Sequence, residues 1–375
     1  MAMVRPLNRT ALMTALPPSK RPRTDDEGRG RRDLQILVVS DTHDIQLPDF
    51  LDQLPTRVSH DASGRGDSVP VDVVVHAGDF EVASDDGGRC NRGINRWFGR
   101  QTGIGCRLLC AGNHDHTHGI TKQPIDRSSP TTADHRPNFK PGAVRGHDPA
   151  KHTNPSVYGN ARQGFRPCAD AMADSARFQR DLGVPEKCLI TEAIYLQDNG
   201  VEIGGWKLFA CPWHGMHPGH VVARQQLNYD SSCFQVTPAE QAELVKRIPC
   251  DVDFLITHAP PRGFLDLVTC KHTRTDEASG KKVTTSEKLN CGSLPLLQRL
   301  RQLKAEAEAQ AQTTGADAAV ECYPLSCHVF GHVHATQRSF DTAEEVRSIE
   351  VTRSSRSGGE EDNAALDGSV FVNAA

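Results

Sequence analysis

Five apolar runs in this chain end on the same kind of residue. Leu34–Val39 leads into Ser40-Asp41-Thr42-His43, and Val71–Ala77 into Gly78-Asp79. Cys106–Cys110 is followed by Ala111-Gly112-Asn113-His114-Asp115, Phe254–Thr257 by His258, and His328–Phe330 by Gly331-His332-Val333-His334. Short apolar runs rich in β-branched residues are the pattern of strands buried on both faces, as in parallel sheets. Open α/β sheets place their sites beyond the carboxyl ends of such strands. The pattern predicts an α/β fold in which one edge gathers Asp41, His43, Asp79, Asn113, His258, His332 and His334.

Two Asp, one Asn and four His make a nitrogen and oxygen donor set with no thiolate. Such a set suits Mn, Fe or Zn better than Ca or Mg, which prefer oxygen shells. Seven donors are too many for one tetrahedral ion and fit two ions sharing a bridging carboxylate. Two ions about 3.5–4 Å apart can bind an activated hydroxide and clamp an in-line displacement at phosphorus.

Helix patterns fill the spacers, over Asn91–Phe98, Ala169–Leu182, Thr237–Lys246 and Leu294–Ala311. Thr237 can cap its helix, Pro238 suits the first turn, and Glu240 completes a capping box. Ala193–Leu196, Val201–Ile203 and Trp206–Cys211 read as antiparallel strands with turns at Asp198-Asn199-Gly200 and Gly204-Gly205. Val370–Val372 reads as a last strand. Residues 1–33 are polar and proline-rich, the composition of a disordered basic tail. One domain over 34–375 is expected, interrupted by polar insertions at 116–166, 270–290 and 340–367, with 45–69 mostly loop.

A net charge of −4 gives no general attraction to nucleic acid. No apolar run approaches the roughly 18 residues of a membrane span, and no secretory signal is evident. A cytoplasmic protein is expected. The basic Lys20-Arg21-Pro22-Arg23 keeps a nuclear address open, and the acid-free first 23 residues keep a mitochondrial one open. The twelve cysteines form no C-x-x-C pair, so reduced thiols are expected, without a disulfide framework or structural zinc.

Asp41-x-His43, Gly78-Asp79, Gly112-Asn113-His114-Asp115, His258 and Gly331-His332-x-His334 occur in order over residues 36–334. Together they resemble the calcineurin-like metallophosphoesterases. The stretches His76-Ala77-Gly78-Asp79, Ile194–Asp198, Pro212-Trp213, Thr257-His258-x-Pro260-Pro261-x-Gly263-Phe264-x-Asp266 and His328–His332 resemble one subgroup. It comprises the metallophosphoesterase-domain-containing proteins related to class III cyclic-nucleotide phosphodiesterases. The resemblance implies a four-layer αββα sandwich, with two mixed sheets flanked by helices. It implies a first divalent transition-metal ion on Asp41, His43 and His334, a bridging Asp79, and a second ion on Asn113, His258 and His332. His114 would stabilise the phosphoryl group or protonate the leaving oxygen, with Asp115 orienting its imidazole. The implied substrate is a small phosphate ester, a cyclic nucleotide by preference, touched by Asn113, His114 and Trp213. Ala259 stands where the subgroup usually has Gly, and the three insertions are longer than the family's.

The other histidines are expected to do less. His76 reads as a core or supporting residue, and His116, His118, His135, His147 and His152 as solvated loop residues. His214, His217 and His220 sit in a Pro/Gly loop and would at most touch substrate. Two rival functions stay open: a catalytically silent scaffold on the same fold, and a nucleic-acid phosphodiesterase gripping backbone through the basic 116–166 insertion. Oligomeric state is not legible.

Overall fold

The computed structural model describes residues 10–13, 34–42, 57–59, 68–80, 87–101, 103–115, 118, 165–215, 233–275, 282–314, 325–333, 351–353 and 370–374. His43 and His334, and the expected insertion 116–166 apart from His118 and residues 165–166, lie outside them.

Two mixed sheets form the centre. The first has the order β1 (Thr10–Met13), β2 (Ile36–Val39), β5 (Val73–Ala77), β6 (Cys106–Cys110) and β8 (Ile194–Leu196). Its strands are parallel except β1, which lies antiparallel along β2. The second sheet has the order β15 (Val351–Arg353), β16 (Val370–Asn373), β14 (Cys327–Phe330), β11 (Phe254–Thr257), β10 (Trp206–Cys211), β9 (Asn199–Ile203) and β7 (Arg166–Pro167). Here β10, β11, β14 and β16 run parallel. Small antiparallel pairs are β3 (Arg57–Ser59) with β4 (Ser68–Pro70) and β12 (Leu267–Thr275) with β13 (Lys282–Asn290).

Period-two alternation sorts the strand residues into layers. Ile36, Val38, Val73, Val75 and Leu108 of the first sheet share one buried cluster with Leu208, Ala210, Ile256 and Val329 of the second. That is the core between the sheets. Their sequence neighbours Leu37, Val39, Val74, Leu109, Phe209, Leu255 and Phe330 face the other way and pack with helical residues. The helices are α1 (Gly87–Arg100), α2 (Cys168–Asp181), α3 (Pro238–Val245) and α4 (Leu294–Thr314), and they supply Ile94, Trp97, Phe98, Leu244, Leu296 and Leu300. Both faces of each inner strand are therefore covered, which is why the sequence shows continuous apolar runs there. The result is the αββα sandwich.

Thr237 caps α3 as its sequence predicts: its hydroxyl accepts from the Glu240 N–H, and the Glu240 side chain accepts from the Thr237 N–H. Other expectations need correction. Ile194–Leu196 pairs parallel with β6 and belongs to the first sheet, so Gln197-Asp198 is a crossing between sheets and not a hairpin turn. Asp198 makes the crossing in the left-handed region (φ 52), its N–H bonded to the Ala210 carbonyl. Thr10–Met13 forms an edge strand where a tail was expected, and the described part of 270–290 belongs to an arm of two nine-residue strands that starts earlier, at Leu267. Residues 57–59 and 68–70 form a small β-ribbon inside the expected loop.

Candidate metal centre

Parallel strands send their carboxyl ends to one edge, and in both sheets that edge carries the polar residues. Asp41 and Thr42 follow β2, Gly78-Asp79 follows β5, and Gly112-Asn113 follows β6. His258 follows β11, and Gly331-His332 follows β14. Asp41 (φ 54), Asp79 (φ 59) and His332 (φ 68) all adopt the left-handed region, which costs a non-glycine residue on the order of 1–3 kcal/mol. Backbone strain here coincides with the donor residues. The glycines between strand and donor permit the close approach: a Cβ on Gly112 would meet Asp79 N at 2.6 Å and His258 Cε1 at 2.7 Å. A Cβ on Gly331 would collide with Ser40 Oγ and Asp41 Oδ2.

The donors of the expected second ion converge. Asn113 Oδ1 lies 2.8 Å from His258 Nε2 and 2.7 Å from His332 Nδ1. His258 Nε2 is 3.2 Å from His332 Nδ1 and 3.3 Å from Asp79 Oδ1. One ligand atom each from Asp79, His258 and His332 falls within a mutual 4.8 Å. The tautomer of His258 is set from behind: its Nδ1 lies 3.0 Å from the Ala77 carbonyl, which only accepts, so Nδ1 carries hydrogen. In the neutral ring Nε2 is then a bare lone pair, aimed at the same point as the Asp79 carboxylate oxygen and the Asn113 oxygen. Such an arrangement suits a cation. Asp41 borders this group, its Oδ2 accepting from Ser40 Oγ (2.6 Å) and from the His332 N–H (2.9 Å).

Charge tells the same story. Burial alone would push His258 down, but the Asp79 carboxylate beside it, with Asp41 further off, holds it up at about 9. Burial pushes His332 well below its usual range, with the positive charge of His258 acting in the same direction. With no cation bound, the carboxylates draw a proton to His258 while His332 stays neutral, and a metal ion would take that proton's place.

Asp115 is buried, and its Oδ2 accepts from the Gly112 N–H (2.6 Å) and the Asp79 N–H (2.9 Å). It ties two donor loops together, a role the sequence does not announce. The His114 N–H donates to Asp79 Oδ1 (2.8 Å), which anchors the backbone of the expected acid beside the bridging carboxylate. Trp213, expected to touch substrate, is turned into the core: it is 4% exposed, packs against Phe234, and donates its indole N–H to Asp198 Oδ2 (2.7 Å).

His76 is the supporting residue expected. Its Nδ1 accepts from the Gly78 N–H, so Nε2–H donates to Thr42 Oγ1 (3.1 Å). His118 departs from expectation: it is buried between Phe80 and Tyr195, with Nε2 3.2 Å from Gln179 Oε1. His214 departs too, being buried within 5.4 Å of the His332 ring, centroid to centroid. A signal for it existed, since Trp206–Cys211 is one more apolar strand with a histidine soon after its end.

The model of the family described as calcineurin-like phosphoesterase matches residues 34–335. The chain belongs to that family. Among curated relatives, metallophosphoesterase domain-containing protein 1 of Homo sapiens is 40% identical over 88 residues, 23% of each chain. A UPF0046 protein of Caenorhabditis elegans is 26% identical over 153 residues, which is 40% of this chain and 26% of the relative. The match thus spans about a quarter of the length of either relative. No helix among the described residues of this calcineurin-like phosphoesterase is long and apolar enough to cross a membrane.

Proposed function

We propose that this chain is a dinuclear-metal hydrolase of phosphate esters, acting on small phosphodiesters of the cyclic-nucleotide type. The observation that carries the reading is the meeting of Asp79, Asn113, His258 and His332 at one point, with a side-chain oxygen or ring nitrogen of each directed inward. A divalent Mn, Fe or Zn ion bound there would supply Lewis acidity. Asp41, His43 and His334 would hold one ion and Asn113, His258 and His332 the other, with Asp79 available to both. His114 would stabilise the phosphoryl group or give its proton to the departing oxygen, with Asp115 orienting its imidazole. Asn113 and His114 would contact the phosphoryl group, and Trp213, buried against Phe234, would not touch it.

The test is turnover of aryl phosphodiester, aryl phosphomonoester and cyclic-nucleotide probes by Mn-loaded protein, with His114→Ala alongside. Expected are diester cleavage and a drop of about 10²–10⁴ in kcat for the variant at unchanged metal content. Cleavage of monoesters alone removes the diester assignment. No turnover of any probe, with less than one ion per chain, leaves a silent scaffold on the same fold.

A further inference from the structure

One buried histidine outside the assigned donor set faces the same centre. Because β10 runs parallel to β11, with Cys211 opposite Thr257, His214 emerges on the edge that carries His258. It is 2% exposed, and its ring centroid lies 5.4 Å from that of His332 and 6.4 Å from that of His258. Its Nδ1 is 2.9 Å from the Gly215 carbonyl and its Nε2 2.8 Å from the Cys233 carbonyl. Both carbonyls only accept, and burial pushes the ring down to about 4, so the neutral ring donates to one of them, which with its hydrogen on Nε2 is Cys233. Its main chain grips the same segment: His214 N–H donates to the Phe234 carbonyl (3.1 Å), and Val236 N–H donates to the His214 carbonyl (3.0 Å). Cys233 in turn donates its N–H to the Asn113 carbonyl (2.8 Å). A path of hydrogen bonds therefore runs from the His214 ring through one residue, Cys233, to the main chain of Asn113.

We propose that His214 is a positioning residue for the half of the centre that holds the second ion. Its Nε2–H fixes the Cys233 carbonyl, Cys233 fixes Asn113, and the ring walls the imidazole of His332. The proposal rests on the phosphoesterase reading and deepens it: His214 touches neither substrate nor metal, and sets the affinity of one of the two ions. Groups that orient metal donors carry about 10–100-fold in metal affinity.

Replacements at His214 separate its two ring contacts. In His214→Gln the amide nitrogen reaches the place of Nε2, whereas in His214→Asn it reaches only the place of Nδ1. Mn²⁺ is titrated into the full chain by calorimetry, with elemental analysis and the electron paramagnetic resonance signal of a coupled Mn pair as second readouts. His214→Ala and His214→Asn are expected to weaken the looser of two sites about 10–100-fold and to lose the coupled signal, with the tighter site within about threefold of wild type. His214→Gln is expected to recover both within about threefold. Wild-type binding at both sites in His214→Ala overturns the proposal, as does equal recovery by Asn and Gln. If His214→Ala does not fold, the comparison of Gln with Asn decides. If wild type itself takes up no ion, the phosphoesterase reading fails together with this one; two ions bound with wild-type affinity in every variant sink this one alone.

Discussion

Asp115 shows how much of the centre depends on main-chain geometry. Its single oxygen Oδ2 serves the N–H groups of Gly112 and Asp79, each next to or part of a donor loop. Asp115→Ala strands two buried N–H groups, at roughly 1–3 kcal/mol apiece. A lower urea midpoint and loss of metal are expected together. Asp115→Asn keeps an acceptor oxygen and should cost only about 1 kcal/mol, because a neutral acceptor is weaker than a carboxylate. A kcat below wild type in this second variant, at full metal content, would reflect its action on His114; an unchanged kcat would reduce Asp115 to a backbone clasp. None of this is visible in Gly-Asn-His-Asp as letters. The pattern shows which residue types stand at a strand end, but not which oxygen faces which amide.

Among the elements, β14 carries a group with a definite pH consequence. Thr257 Oγ1 donates to the Ala259 carbonyl (2.7 Å), so its lone pair accepts from His328 Nε2–H (2.8 Å), and the ring is neutral. Burial pushes His328 down to about 3 from 6.5. Above pH 6.5 both folded and unfolded chains leave the ring neutral and its stabilisation is complete. Below 6.5 only the unfolded chain gains the proton, so stability falls with pH until the folded ring titrates near 3. Urea unfolding between pH 6.5 and 5 should show wild type losing up to about 1.4 kcal/mol per pH unit more than His328→Gln, which keeps a donor for Thr257 but does not titrate. Parallel slopes would refute it. The inner strands were legible because burial on both faces leaves runs in β2, β5, β6, β11 and β14 that are apolar but for residues such as His76, Arg107 and His328. Thr10–Met13 and the β12–β13 arm were not, since an edge strand and an exposed hairpin leave no such run. Ile194–Leu196 was recognised as a strand and assigned the wrong partner, because pairing across a sheet is a non-local choice that Asp198 settles by its backbone angle.

Over the whole molecule, the donors come from two sheets. Asp79 and Asn113 follow strands of the first, and His258 and His332 follow strands of the second. An ion held by all four ties the halves of the sandwich, and a ligand bound only by the folded state stabilises by about 2.7 kcal/mol at a hundred times its Kd. Chelator should therefore lower the thermal midpoint of the loaded protein, and excess Mn²⁺ should restore it; an identical midpoint with and without metal would contradict the cross-sheet arrangement. The bond from His258 Nδ1 to the Ala77 carbonyl carries a wider consequence. The orientation of a donor on one sheet is fixed by the main chain of the other, across a core filled by Val38, Val75, Leu208 and Ile256. Metal content is thus a gauge of inter-sheet alignment. A volume change at Leu208, remote in sequence from every donor, should register as a detuned metal affinity while the fold as a whole still stands.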